Sequence, residues 1–168
     1  MPTVPFRSLP DDARLWVFAA SDPIAGERAH RLLAAVDEWL VDWKAHDEPL
    51  TCAREWRDDR FLAIGVDQST AGASGCSIDA LFRVLQDLQG ALGTSLLGGG
   101  RVFYRDRDGH VVATDRSTFA SRARAGEVDA DTLVFDTSVI TVASYRSSFM
   151  RRAGDSWHRD LLPDAARV

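Results

Sequence analysis

A mixed α+β fold with a ferredoxin-like βαββαβ core, an antiparallel sheet with two helices on one face, follows from three features of the chain. Residues 15–20 and 61–66 are apolar on both parities, as in inner strands or strands covered on both faces. Residues 23–46 and 78–92 repeat apolar side chains at helical spacing. The charged strand candidates, 50–57 and 101–105, fall where that topology places its edges.

Taken in order, residues 1–13 read as an arm. Pro2, Pro5 and Pro10 remove donors and fix φ, and Phe6 and Leu9 are placed to pin the arm to a core. The first strand, residues 15–20, stops at Ser21-Asp22-Pro23. Asp22 as N-cap with Pro23 at the first helical position predicts a helix from 23 towards 46, with Leu32, Leu33, Val36, Leu40 and Trp43 on its apolar face. Residues 50–57 and 61–66 form a hairpin across the Asp58-Asp59 turn. A Gly/Ser-rich turn leads to the second helix, with Ile78, Leu81, Phe82, Leu85, Leu88 and Leu92 on one face. Gly98-Gly99-Gly100 is a joint, and residues 101–105 pair back with 110–113 across Asp106-Arg107-Asp108-Gly109.

Residues 1–113 are thus expected to be the core domain and 114–168 an extension packed on it. In the extension, residues 117–125 suit a helix closed by Gly126, and residues 132–135 a strand. Residues 141–150 fit strand and helix about equally. Trp157, Leu161 and Leu162 fold back onto the core, and 163–168 fray.

The 168 residues are enough for one domain with a real core. Apolar residues make up 45% and charged residues 27%, an ordinary globular balance. The net charge of -5 is uneven: residues 1–100 carry 9 basic and 15 acidic groups, and residues 101–168 carry 11 and 10. An acidic first portion argues against nucleic acid, whose binding is driven by phosphate neutralisation. No apolar run approaches the roughly 20 residues that span a bilayer, and the N-terminus lacks signal-peptide features. The expected location is the cytoplasm, with Cys52 and Cys76 as reduced thiols. His30, His46, His110 and His158 are scattered, so neither metal nor cofactor is expected.

The stretch 67–79 nominates a site. A strand ends, small residues bend the chain, and a helix begins beside Cys76, which aims backbone N–H groups and a thiol at one place. Asp67, Ser74, Gly75, Ser77 and Asp79 would line it. Helix N-termini favour a thiolate, so one reading makes Cys76 a nucleophile or redox thiol, with His46 or His110 as its base. The other reading is a small buried cysteine packed at the strand–helix corner, with Ser74 as N-cap. Residues 64–69 also resemble the first strand of RNase H-like folds, where an aspartate binds metal. Here a helix follows instead of a hairpin, so Asp67 more simply ends a strand. Arg146, Arg151, Arg152 and Arg159, interleaved with Tyr145, Phe149 and Trp157, form a candidate partner contact or a solvated mixed-charge face.

Pro5-Phe6, Leu9-Pro10, Arg14-Leu15-Trp16 and above all residues 73–79, Ala-Ser-Gly-Cys-Ser-Ile-Asp, resemble a small family from Bacteroidetes and related bacteria over most of the chain. Its members are often labelled "ABC transporter ATPase". The chain has no G-x-x-x-x-G-K-[ST] loop, Lys44 being its sole lysine, and no Leu-Ser-Gly-Gly-Gln, so ATP hydrolysis is not carried over. The expected function is a binding or accessory domain with a small-anion or partner site at 67–79. The alternatives are a Cys76-dependent enzyme and a structural subunit of a larger assembly.

Overall fold

The computed structural model describes residues 3–164 and is a mixed α+β structure. It divides into two compact units, Met1–Leu97 with Val139–Arg146, and Gly98–Ser138 with Ser147–Val168. The expected boundary at 113/114 falls inside a strand of the second unit.

The first unit is built on a three-stranded antiparallel sheet of order β1-β5-β4, from β1 (Arg14–Ala19), β4 (Thr51–Arg57) and β5 (Phe61–Asp67). Trp16 pairs with Ile64 and Phe18 with Leu62 on one side; Cys52 pairs with Val66 on the other. The face carrying Phe18, Cys52, Leu62, Ile64 and Val66 packs with α1 (Gly26–Val41) through Leu32, Val36 and Leu40, and with α2 (Gly75–Leu92) through Leu81 and Leu85. Each fully buried Leu or Ile contributes about 1.5–3 kcal/mol. The opposite face is enclosed too, which explains the two-sided apolarity of residues 61–66: Phe61 and Ala63 are buried, and Leu9 of the arm lies over Gly65. The arm makes one short 3-10 turn, Phe6–Ser8, and Phe6 meets the Tyr145 ring edge-on at 5.6 Å.

The four-stranded core does not form as expected. Residues 101–105 pair within the second unit, and the outer edge of β1 is taken by the returning segment at 140–142. Leu15 N–H donates to Ile140 O at 2.8 Å and Val142 N–H to Ala13 O at 3.0 Å, just ahead of α4 (Val142–Ser148). The predicted helix over 23–46 is shorter at both ends. Ile24 is buried and gives its N–H to Asp59 O at 2.7 Å, which holds residues 21–25 as a loop; Ala25, not Asp22, is the N-cap. At the other end, β2 (Lys44–Ala45) and β3 (Glu48–Pro49) form a small hairpin. Its turn residues His46 and Asp47 have φ of 52° and 66°, the left-handed pair a tight hairpin turn demands.

The second unit holds a sheet of order β7-β6-β8-β9, from β6 (Arg101–Arg105), β7 (Val111–Asp115), β8 (Leu133–Phe135) and β9 (Met150–Arg152). Helix α3 (Arg116–Arg124) is capped by Asp115, which accepts from Thr118 N–H at 2.7 Å, and Gly126 follows it at φ 76°. The ambiguous stretch 141–150 resolves as helix α4 leading into β9. Val102, Tyr104, Phe119, Val134, Ala153 and Leu162 form this unit's core, so the C-terminal 3-10 turns at Ala153–Asp155 and Trp157–Leu161 are tied down by it. Residues 165–168 of the expected frayed end lie outside the described residues. No helix among the described residues is long and apolar enough to cross a membrane.

Candidate functional site at the start of the second helix

Strand β5 delivers Asp67 to its end. The Asp67 carboxylate accepts Ser69 N–H at 2.9 Å, and that bond with the Ser69 hydroxyl holds it below the usual carboxylate range. The strand-end role is therefore the one the geometry shows for Asp67.

Ser74 caps α2. Its Oγ accepts Ser77 N–H at 3.2 Å, and the buried Ser77 hydroxyl donates back to Ser74 O at 2.8 Å. These two serines are consumed by the cap they build. The first intrahelical bond runs from Ile78 N–H to Ser74 O at 3.0 Å. The amides of Gly75 and Cys76 lie ahead of it, in the part of a helix that has no internal acceptors. Gly75 is exposed and leaves open space about its Cα.

Cys76 is exposed, which overturns the packing reading of this thiol. The side chain stands at the second helical position, outside the cluster of Leu81 and Leu85 that buries the next turns. The buried cysteine is Cys52. Its thiol donates to Leu40 O at 3.6 Å, and burial pushes its pKa up to about 11. Asp79 is exposed at the fifth position of α2, past its first turn.

The hairpin β2–β3 is anchored to this same turn. Trp43, buried just ahead of β2, donates its indole N–H to Ser77 O at 2.9 Å. His46 stands exposed at the tip of that hairpin. His110 belongs to the β6–β7 turn of the second unit, 3.8 Å from Asp106.

The residues expected to make a contact patch fall as follows, Arg159 lying 3.9 Å from Asp160. Arg146 ties down the arm, pairing with Asp11 and donating to Arg7 O at 3.2 Å and Leu9 O at 3.0 Å. In the second unit Arg152 pairs with Asp131 at 3.4 Å, Arg151 stands in β9, and Trp157 donates to Asp136 at 3.2 Å while Arg116 stacks over its ring.

Two groupings went unrecognised in the sequence. Asp106, Asp108 and His110 bring ligand atoms within 4.8 Å of one another, in a spacing, Asp-x-Asp-Gly-His, that a search for cysteine and histidine pairs passes over. Ser156 and His158 meet in the C-terminal turns, at a two-residue spacing that signals nothing by itself. Compared with protein-family models, with curated proteins and with solved structures, the chain finds no match in any of the three.

Proposed function

We propose that the protein acts through the first turn of α2, with Cys76 as a nucleophilic or redox thiol towards a small electrophilic or anionic ligand. The observation that carries this is the exposure of Cys76 at the second position of an 18-residue helix. The positive end of a helix dipole and amides without internal acceptors favour a negatively charged ligand there. His46, on the hairpin that Trp43 ties to Ser77, is the base assigned to Cys76.

The test is the rate of iodoacetamide alkylation at pH 7. Cys76 should react several-fold faster than the thiol of a short unstructured peptide, and His46→Ala should slow it. A rate equal to that of the peptide would remove the nucleophile.

A second reading is a binding or accessory module with no bond-making step. It is favoured by the amides of Gly75 and Cys76, which the Ser74–Ser77 cap leaves to solvent. Titration of the 15N-labelled protein with inorganic phosphate should then shift those two amide signals, in the wild type and in Cys76→Ala alike. The thiol chemistry is lost in that variant, so the two readings separate.

As for the wider setting, we read β1-α1-β4-β5-α2 as a split βαβ arrangement whose fourth position is closed by the segment at 140–142. We also read the chain as a cytoplasmic relative of the bacterial family that residues 73–79 resemble.

A further inference from the structure

The C-terminal turns of the second unit carry a serine–histidine pair that the thiol site does not use. Ser156 Oγ and His158 Nδ1 lie 2.8 Å apart, and both residues are buried. The His158 ring is fully enclosed: Trp157 stacks on it with centroids 3.9 Å apart, and Phe119 meets it at 6.2 Å. Its Nε2 has no hydrogen-bond partner among the described residues. A buried polar atom left without a partner costs about 1–3 kcal/mol, and native folds hold few that serve no purpose.

Burial pushes the His158 pKa down to about 4, so the ring is neutral at neutral pH; Asp136 opposes this lowering and Arg116 adds to it. A neutral ring can offer its Nδ1 lone pair to a hydroxyl. The negative charge of Asp136 is placed to stabilise the ring when it gains a proton. Asp136 is itself fixed, accepting from Trp157 Nε1 at 3.2 Å and Ser138 N–H at 3.0 Å. Ser156 in turn lines an open hollow with Arg151, Asp155, Trp157 and Arg159, the last of which also lies 3.9 Å from Asp160. A hydrogen-bonded serine and histidine therefore stand at a hollow that two arginines line, and Asp136 acts on the ring through its charge alone.

We infer that Ser156 is a nucleophile for acyl transfer from small esters bearing an anionic group, with His158 as its base and Arg151 and Arg159 holding the substrate's charge. Ser156 Oγ bonds to the ester carbonyl carbon and its proton passes to His158 Nδ1. The carbon–oxygen bond to the leaving alcohol breaks, and that alcohol departs with the proton. Water then attacks the acyl-serine, gives a proton through His158 back to Ser156 Oγ, and releases the carboxylic acid. No oxidant or metal enters the balance.

The experiment uses the full chain carrying Cys76→Ala, so that thiol chemistry at α2 cannot contribute. Treatment with a fluorophosphonate should add one phosphonyl group, found by peptide mass on Ser156 and absent in Ser156→Ala. Hydrolysis of the mono-p-nitrophenyl ester of succinic acid should fall by about 100-fold or more in Ser156→Ala, the scale of a lost nucleophile–base pair. Arg151→Glu should cut that ester's advantage over p-nitrophenyl acetate. Ser156→Ala removes one oxygen from a small side chain, and a melting curve matching the parent's keeps the comparison sound where His158→Gln would risk the fold. No adduct on Ser156, or hydrolysis unchanged in Ser156→Ala, overturns the assignment.

Discussion

The indole N–H of Trp43 donates to the carbonyl of Ser77 across 2.9 Å, in a buried setting. One bond thereby couples the small hairpin carrying His46 to the turn that presents Cys76. Trp39 lies tilted beside Trp43 at 5.2 Å and Trp16 meets it edge-on at 6.1 Å, so two further indoles flank the anchor.

Trp43→Phe keeps an aromatic ring but removes the donor and leaves Ser77 O without this partner. The expected cost is about 1–2 kcal/mol, from one lost bond and a small cavity. It reads out as a lower urea midpoint with an unchanged slope. Cys76 alkylation should slow in parallel if the hairpin matters to the thiol.

The two cysteines should behave oppositely towards a thiol reagent. Cys76 is exposed and Cys52 fully buried, its thiol pushed up to about 11 by desolvation. Native protein at pH 7.5 should therefore release one equivalent of chromophore from Ellman's reagent, and a second only in denaturant. Peptide mapping that finds Cys52 modified in the folded state would contradict the burial.

Much of this layout is legible in the chain before folding. The run Phe61-Leu62-Ala63-Ile64-Gly65-Val66 announces a strand covered on both faces, and Ser74 announces a capped helix start. What escapes is set by distant partners. Nothing near Ile24 says that its N–H will go to Asp59 O and so displace Pro23 from the first helical position. His46-Asp47 does not advertise a left-handed turn as Asn-Gly would. The edge of β1 is satisfied by residues 140 and 142, over a hundred positions away, while residues 101–105 find partners nearer in sequence. The thiol site lies on one continuous stretch and could be nominated from it. The enclosure of His158 arises only when Phe119, Trp157 and Ser156 assemble.

Gly65 is required by close approach. A Cβ at this position would sit 2.5 Å from Leu9 Cδ1, and Leu9 is itself buried. Gly65→Ala should cost about 1–3 kcal/mol, the usual penalty of overpacking. Leu9→Ala alone leaves a cavity and should also destabilise. Combined, the two should cost less than their separate effects added, and strict additivity in urea denaturation would deny the contact.

Arg146 holds the arm by pairing with Asp11 and donating to two arm carbonyls. Arg146→Ala should loosen residues 7–11, which it holds, without unfolding the sheet, since Leu15 and Ala63 keep their own partners. Limited trypsinolysis should then cut after Arg7 several-fold faster than in the parent, because cleavage tracks the population of the opened segment. Equal rates would mean that the arm stays down by its apolar contacts and its backbone bonds at Val4 and Asp11.

His158 ties stability to pH with a definite sign. Its folded pKa of about 4 lies below the ordinary histidine value, because burial opposes the charge. Between these values the unfolded chain binds the extra proton and the folded one does not. The contribution is therefore complete above about pH 6.5, declines as the pH falls towards 4, and levels off below that. Its full size is on the order of 3 kcal/mol, at about 1.36 kcal/mol for each tenfold loss of proton affinity on folding. Urea midpoints from pH 7.5 to 4.5 should fall along this course, on top of the broad acid response of the carboxylates. In His158→Gln, which is uncharged throughout, the same interval should be flatter, even though the variant starts less stable. A slope that survives the substitution would place the titrating group elsewhere.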